Sequence, residues 1–520
     1  MMFNILPMLL CDFYKISHRK LYDREKGIIY ATWTPRKSRL EGVEEVVVFG
    51  LQGFIQKYLI DYFNDNFFNV PLNKIIYDYK RIIKNTLNEE NPDVSHIESL
   101  HNLGYLPIRI DALEEGTICP IKCPCLTIQN TDENFLWVTN FIETLFSMEV
   151  WKPMTSATIA REYRKILDKW ADKTCDDNSH VDFQAHDFSM RGMGGLDSAC
   201  TSGAAHLTSF KGTDTIPAIC YLEKYYNADV ESELVGCSIP ATEHSIMEFN
   251  SYGKENDEYD AFKRIITEVH PKGFVSIVSD TWNLWHVLSD TVVRLKDEIL
   301  NRDGRVVIRP DSGYPPDIIC GLNTKNPNHK FLTETIERKR LKHDSSQYIE
   351  QQIKGVIELL WETFGGTINS KGYKVLDPHI GCIYGDAITL ERAEQICKRL
   401  EAKGFASSNI VFGVGSYTYN MNSRDTFGFA LKSTYAEKDG KEIFLFKNPI
   451  TDSGEKKSQK GMVFVIKESG RMVYYDELTL FMKDSHSDKD LLKPLFCNGK
   501  LLRETNLEKI RKVIKSNTRV

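Results

Sequence analysis

The stretch FVSIVSDTWNLWHVLSDTVVRLKDEILNRDGRVVIRPDSG, residues 274–313, decides the fold. Two short apolar runs, FVSIVSD and RVVIRP, flank a helix-length amphipathic segment, and each run ends on small and charged residues. Runs that are apolar throughout suit strands buried on both faces, and a helix between two of them makes a repeated βα unit of a parallel sheet. The same rhythm extends outward from about residue 151 to 420. Candidate strands are VDFQAHDF, the run near TDTIPAICYL, VGCSI, HIGCIYGD and NIVFGVGS; candidate helices are LDSACTSGAAHLTSF, DEYDAFKRIITEVH and TLERAEQICKRLEAKG. From Gly321 to about Gly366 the connection is longer than a typical βα loop and reads as a surface excursion.

The two ends of the chain have another character. Residues 1–150 mix helix-like stretches such as VVVFGLQGFIQKYLIDYF with extended runs such as GIIYATWTPR and LPIRIDAL, an α+β pattern. Residues 421–520 return to short strands (KEIFLFKNP, GMVFVIKES, RMVYYDEL) and close on the helix-like LEKIRKVIK. With 66 Lys and Arg against 72 Asp and Glu, a net charge of -6 gives no global reason to bind nucleic acid or an anionic membrane, so any anion site must be local. No apolar run approaches the length of a membrane span, and no secretion signal is read at the N-terminus. The 12 cysteines form no C-x-x-C pair, which suggests free thiols in a reducing compartment. Cys119, Cys123 and Cys125 crowd together without a fourth ligand at zinc spacing and read as buried or turn thiols.

Chemistry collects where each candidate strand stops: HDFSMRG (186–192), KGTDT (211–215), SIPATEHS (238–245), SDTW (279–282), RPDSG (309–313), YGDA (384–387) and GVGS (413–416). In a parallel αβ barrel these ends converge on one face, where active sites are built. Asp280, Asp311 and Asp386 can hold Mg²⁺ or sugar hydroxyls, and Arg191 and Arg309 can fork onto phosphate oxygens. The glycine-rich turns at 385 and 415 can offer backbone N–H groups to a phosphate. Together these groups suit a phosphorylated sugar. Taken singly, each also fits a structural role: Asp280 as a helix cap, His244 as a hydrogen-bonder, Phe188 as core, the glycines as tight turns. CDFYKISH (11–18), TPRKSR (34–39), Arg424 and Lys432 add cations and Tyr14 from outside the barrel zone.

CDFYKISH, YATWTPRK, VFGLQGFIQKYL, LPIRIDALEEGTICP through VTNFIETLFSMEVWKPMTSAT, HDFSMRG, AAHLTSFKGTDT, SIPATEHS, VSDTWN, IRPDSG, SKGYK, GDA and FGVGS resemble, in that order, the nicotinamide phosphoribosyltransferases of the type II nicotinate/nicotinamide phosphoribosyltransferase family. The likeness spans nearly the whole chain. It implies an α/β fold: an irregular αβ (TIM-like) barrel, 151–420, with a smaller α+β domain built from both chain ends, 1–150 and 421–520. It also implies a cytoplasmic homodimer with active sites at the subunit interface. The implied reaction joins nicotinamide to 5-phosphoribosyl 1-pyrophosphate (PRPP), with Mg²⁺ as cofactor and ATP as coupling substrate.

The resemblance also assigns roles. Phe188 and the partner subunit's Tyr14 would sandwich the nicotinamide ring, Asp214 would accept from the carboxamide, Arg191 and Ser276 would flank the ring, and Ile239, Ala241 and Ile383 would line a tunnel. Asp311 would hold the ribose hydroxyls, and Gly385, Asp386, Gly415 and Ser416 the 5-phosphate. Arg36, Arg424 and Lys432 would reach the phosphates from the second subunit. Arg309 and His244 would lie on the pyrophosphate side, with Asp280 or Asp311 aiding Mg²⁺ and His244 the phosphorylated histidine of ATP coupling. Two positions depart from the family pattern: Ser416 replaces a glycine, and Ala430 replaces a serine. Nicotinate phosphoribosyltransferase is the nearest alternative. A catalytically silent binding relative is another, expected to have lost several of Asp280, Arg309, Asp311, Asp386 and His244, all of which stand in the chain.

Overall fold

The apolar runs of the central zone pair side by side, all parallel. In the computed structural model, which describes residues 5–23, 26–255, 257–322, 348–385, 387–451 and 457–518, six of them form one sheet. Its order is Gly212–Thr213, Ala185–Asp187, Val411–Val414, Ile380–Tyr384, Val306–Arg309, Val275–Val278. Each strand neighbours those before and after it in this series, and Ala185–Asp187 also pairs with Val411–Val414. The two edges curl toward one segment: Gly212 bridges Cys237, and Ala241 bridges Ser276.

The result is a mixed α/β protein with a curled parallel half-barrel sheet rather than eight regular strands. VGCSI, expected as a strand, makes only the single bridge at Cys237, with Ala241 just beyond it making the other; Pro240 between them has no N–H to continue a ladder. Two other expectations are corrected. IPAICYL is helical within Ile216–Tyr226, with its strand reduced to Gly212–Thr213, and VDFQ forms a short helix before Ala185–Asp187. Of the expected surface excursion, 323–347 lies outside the described residues. Its end is core, because helix Val356–Phe364 buries Val356, Ile357 and Leu360 against the sheet's helical layer.

Both chain ends meet in a second, antiparallel sheet of seven strands. Its order is Lys441–Phe444, Ala430–Lys438, Ile28–Thr34, Leu126–Asn130, Ile108–Ala112, Lys493–Cys497, Lys500–Leu501. Its core holds the buried Trp33, stacked on Phe429 at 5.2 Å and edge-on to Phe146 at 5.0 Å. The pattern change near residue 150 falls inside one 32-residue helix, Glu143–Thr174, which runs from this sheet to the parallel one. Gly50 starts the helix Leu51–Phe54 at φ 98°, and a Cβ there would sit 2.4 Å from Pro153 of the long helix, so both conformation and space require glycine. The buried Glu115 carboxylate accepts from the Gly50 and Gln52 N–H groups at 3.0 and 2.6 Å. Cys119, Cys123 and Cys125 are buried, and the Cys119 thiol points at the Cys123 carbonyl at 3.5 Å. Among the described residues, no helix is long and apolar enough to cross a membrane.

The C-terminal helix Leu507–Ser516 locks the two halves together. Leu507, Ile510 and Ile514 recur at helical spacing and are buried with Val47, Phe49, Ala157 and Leu207. From the same helix the Arg511 guanidinium donates to the carbonyls of Leu207 (2.8 Å), Val235 (2.6 Å), Leu234 (3.2 Å) and Phe210 (3.4 Å), which flank the Gly212–Thr213 strand. Arg511→Met keeps the aliphatic stem and leaves those carbonyls unpaired. It is expected to lower unfolding free energy by about 2–4 kcal/mol, read from the denaturant midpoint; an unchanged midpoint would contradict the role given to the clamp.

Candidate active site

The C-terminal ends of the parallel strands surround a cavity of about 500 Å³ that runs down into the curl of the sheet. Phe188, Asp214, Ser276, Arg309, Ile239, Ala241 and Ile383, all singled out from the sequence, line it. Side chains two apart on a strand share a face, so His186 and Phe188 enter the cavity together while Asp187 turns away into the protein. There Asp187 is fully buried and accepts from Ser189 N–H (2.9 Å) and Thr215 Oγ1 (2.7 Å). The Phe188 ring has room because residue 413 is glycine. A Cβ there would lie 2.7 Å from the ring and 2.5 Å from the Tyr384 carbonyl.

Asp214 stands just beyond the Gly212–Thr213 strand. His186 Nε2 donates to its Oδ1 at 2.8 Å and Ser238 Oγ donates to the same oxygen at 2.5 Å. Burial opposes its ionisation, but the His186 and Ser238 hydrogen bonds and the charges of His186 and Arg309 prevail and hold the carboxyl below the usual range. Two further polar atoms of the cavity lining are buried without a partner: Ser276 Oγ and Arg309 Nε. Buried donors of this kind in a cavity wall are available to a polar ligand. Arg309 is otherwise anchored by Nη2, which donates to the Thr242 carbonyl.

At the mouth, the turns after Val275–Val278 and Val306–Arg309 clasp each other. Asp280 Oδ2 accepts from Asp311 N–H (2.9 Å), Ser312 N–H (2.8 Å) and Ser312 Oγ (2.6 Å), while Oδ1 is buried without a partner. His244 Nε2 lies 3.7 Å from Asp311 Oδ1, and its Nδ1 is 3.2 Å from Thr281 Oγ1. One donor atom each from His244, Asp280 and Asp311 falls within 4.8 Å of the others, a set that two carboxylate oxygens make suitable for Mg²⁺. Gly385 closes on this group: a Cβ there would meet Asp311 Cβ at 2.8 Å, and its N–H donates to the Pro310 carbonyl at 3.0 Å. Asp386, the expected phosphate-site residue next to it, lies outside the described residues.

Gly415 caps the short helix Ser416–Asn420, and Ser416, the family departure, packs on the Met190–Gly192 turn. A Cβ at Gly192 would come within 2.1 Å of Ser416 Oγ. Arg191, on that turn, is exposed. A buried chain of bonds ties this helix to the Asp214 side. Lys152 Nζ donates to the Tyr419 carbonyl, the Tyr419 hydroxyl bonds His206 Nδ1 at 2.7 Å, and His206 Nε2 bonds the Gly212 carbonyl at 3.1 Å. Burial lowers the His206 pKa to about 4, so the ring is neutral, with Nε2–H as donor and Nδ1 as acceptor.

The remaining expected residues do not line the cavity within this chain. Tyr14 sits half-exposed on helix Phe13–Leu21. Arg36 donates from Nε to the Gly428 carbonyl at 2.9 Å, Lys432 Nζ lies 3.6 Å from Glu143, and Arg424 is exposed. Burial first, then the charges of Arg36 and Arg424, lower the Lys432 pKa, which gathers these three cations into one patch. His186, Ser238, Thr281, Ser312 and Glu258 were not singled out from the sequence. The strand's period of two carried the signal for His186, since placing Phe188 in the site places His186 there as well.

Residues 183–500 match the nicotinate phosphoribosyltransferase (NAPRTase) family. The nicotinamide phosphoribosyltransferase of Acinetobacter baylyi is 47% identical, over 98% of this chain and 97% of that protein. That of Xanthomonas campestris pv. campestris is 32% identical over 97% of each. A solved nicotinate-nucleotide pyrophosphorylase from Pyrococcus furiosus superposes with a TM-score of 0.52 at 14% identity, covering 99% of this chain and 98% of that one, a likeness of fold alone. The chain belongs to the nicotinate phosphoribosyltransferase family.

Glu258 makes the site's electrostatics testable. Both its carboxyl oxygens are buried without a partner, and burial, with the charge of Asp280 adding to it, raises its pKa to about 7. A carboxyl whose folded pKa is raised binds its proton more tightly in the native state. Its stabilising contribution is therefore full below about pH 4.5 and is lost as pH rises toward about 7. Glu258→Gln should remove that dependence: relative to the parent, the variant gains thermal stability at pH 8 and shows no gain at pH 4.5. Parallel pH profiles for the two proteins would contradict this.

Proposed function

We propose that this family member condenses nicotinamide with PRPP to give nicotinamide mononucleotide and pyrophosphate, a step of NAD salvage. The observation that carries the reading is Asp214, an ionised carboxylate fixed by His186 and Ser238 beside the Phe188 ring. Its Oδ1 takes both of those bonds, which leaves Oδ2 for the carboxamide NH₂. Nicotinate would bring a second negative charge and no donor to that oxygen, and a site built to bond an NH group rejects an analogue lacking it by roughly 10⁴-fold. The names of the relatives, at up to 47% identity over nearly the full chain, favour the amide as well.

The pyridine nitrogen attacks C1 of the ribose directly, so no general base is required. Phe188 supplies a flat apolar face for the ring, with Tyr14 of the partner subunit on the other side of it, and Ser276 Oγ and Arg309 Nε offer the unmatched donors. Asp311 holds the ribose hydroxyls against an oxocarbenium-like transition state, and Arg309 faces the departing diphosphate. Asp280 Oδ1 and Asp311, with His244 beside them, are the residues that would hold Mg²⁺. Bound there with the diphosphate, it supplies neutralisation of the leaving charge. Gly385, Asp386, Gly415 and Ser416 cradle the 5-phosphate, closed by Arg36, Arg424 and Lys432 of a second subunit in a homodimer. His244 presents an exposed imidazole as nucleophile toward the γ-phosphoryl of ATP, the coupling substrate. The 12 cysteines, all unpaired, fit a reducing cytoplasmic setting. A TIM-like closure of the sheet belongs to the same reading, with the 237–241 segment taking the place of a strand.

Product formation from PRPP with nicotinamide and with nicotinate, side by side, tests the reaction; faster turnover of nicotinate would refute it. Asp214→Ser should lower kcat/KM for nicotinamide at least about 100-fold and narrow the preference over nicotinate. An unchanged preference ratio would remove Asp214 from its role. His244→Ala should abolish ATP-dependent phosphate release while basal transfer persists, and continued release would exclude His244 as the phosphoryl acceptor.

A further inference from the structure

A second large cavity, about 700 Å³, shares no residue with the first. It lies between the 113–120 segment that follows strand Ile108–Ala112, the hairpin of Met462–Glu468 and Arg471–Leu478, the long helix and the C-terminal segment. Arg161, Lys467, Arg471, Lys493 and Arg503 line it against only Glu45 and Glu114, and both acids are already engaged, Glu45 by Arg161 at 3.2 Å and Glu114 by Lys509 at 2.5 Å. Among the described residues Lys467, Arg471 and Arg503 form no ion pair. Arg161 is 4% exposed, and its Nε is buried without a partner on this wall. Leu113, Ile118, Met472 and Val513 give the cleft an apolar side. Arg161 is also held by Glu162 (3.6 Å) and the Asn517 carbonyl (3.0 Å), Lys493 by the Ser487 and Asp488 carbonyls, and Arg503 by the Ala112 carbonyl (3.0 Å). In a chain of net charge -6, the exposed Lys467 and Arg471, with Arg503 beside them, are therefore the cations that this cleft leaves without an acidic partner among the described residues.

We infer that this cleft is a second binding site, for a nucleoside di- or triphosphate, with the phosphates on Lys467, Arg471 and Arg503 and the base against the apolar wall. The site is regulatory rather than catalytic. Val513 and Asn517, which line it, follow Arg511 on the C-terminal segment, and Arg511 grips the carbonyls on either side of the strand leading to Asp214. A ligand drawn onto that segment acts on the nicotinamide pocket through the Arg511 clamp.

Lys467 and Arg471 are exposed and outside the catalytic machinery, so Lys467→Glu/Arg471→Glu leaves the fold and the other cavity intact. Equilibrium dialysis of labelled ATP against the full-length protein should find two sites per chain. Arg309→Gln should remove the site at the catalytic mouth. The double charge reversal should weaken the other at least about tenfold, with Lys467→Arg/Arg471→Lys retaining it. In a His244→Ala background, which removes coupling, the same reversal should abolish the remaining effect of ATP on the KM for nicotinamide. One site per chain that vanishes with Arg309→Gln would overturn the inference. So would two sites that both survive the charge reversal, or a cleft that takes up a polyglutamate peptide and no ATP. If turnover of nicotinamide fails while the cleft still binds, the reading of the catalytic cavity falls and this one stands.

Discussion

Parallel pairing imposes one condition on everything else in the molecule: every strand must finish at the same rim. Because the sheet pairs strands that follow one another in the βα series and joins the first, Ala185–Asp187, to the last, Val411–Val414, groups as distant in sequence as His186, Asp214, Asp311 and Gly385 arrive at one opening. The rim then organises itself by short bonds between adjacent turns. Asp280 takes up the backbone of residues 311 and 312, Asp187 that of 189, and Gly385 leans on Pro310. These bonds fix the loops, and the loops leave particular atoms unsatisfied toward the cavity.

Preorganisation here rests on small residues as much as on charged ones. Gly413 admits the Phe188 ring, Gly385 admits Asp311, and Gly192 admits the Ser416 hydroxyl; in each case a methyl group would overlap a functional side chain. Ser416 is therefore accommodated against the Met190–Gly192 turn, and its backbone remains the first residue of a helix capped by Gly415. The departure at 416 leaves the charge balance of the site unchanged.

Much of this was legible in the sequence. The FVSIVSD and RVVIRP runs formed the strands expected of them, because continuous β-branched runs have no polar face to offer a helix. VGCSI did not, because glycine and a following proline weaken a strand that the apolar pattern alone favours. The cavity lining from Phe188 to Ile383 was readable from motif order, whereas the bond from His186 to Asp214 depends on two strand ends lying side by side, which spacing in the chain does not reveal. The burial of Glu258 likewise comes from tertiary packing around a residue whose own neighbours in sequence, Asp257 and Asp260, look solvent-facing.

The helix Glu143–Thr174 has a mechanical meaning. At 1.5 Å per residue its 32 residues make a strut about 48 Å long. Its first turn touches Lys15 and Lys432 through Glu143, its middle carries Arg161, and its last residue bonds Ser407 under the floor of the parallel sheet. A beam seated at both ends ties the two sheets to one another, and its interior Pro153, which gives up one helical hydrogen bond, is the point at which it would bend if they moved. Through Glu143 and Lys432 the same beam carries the cationic patch of its own subunit.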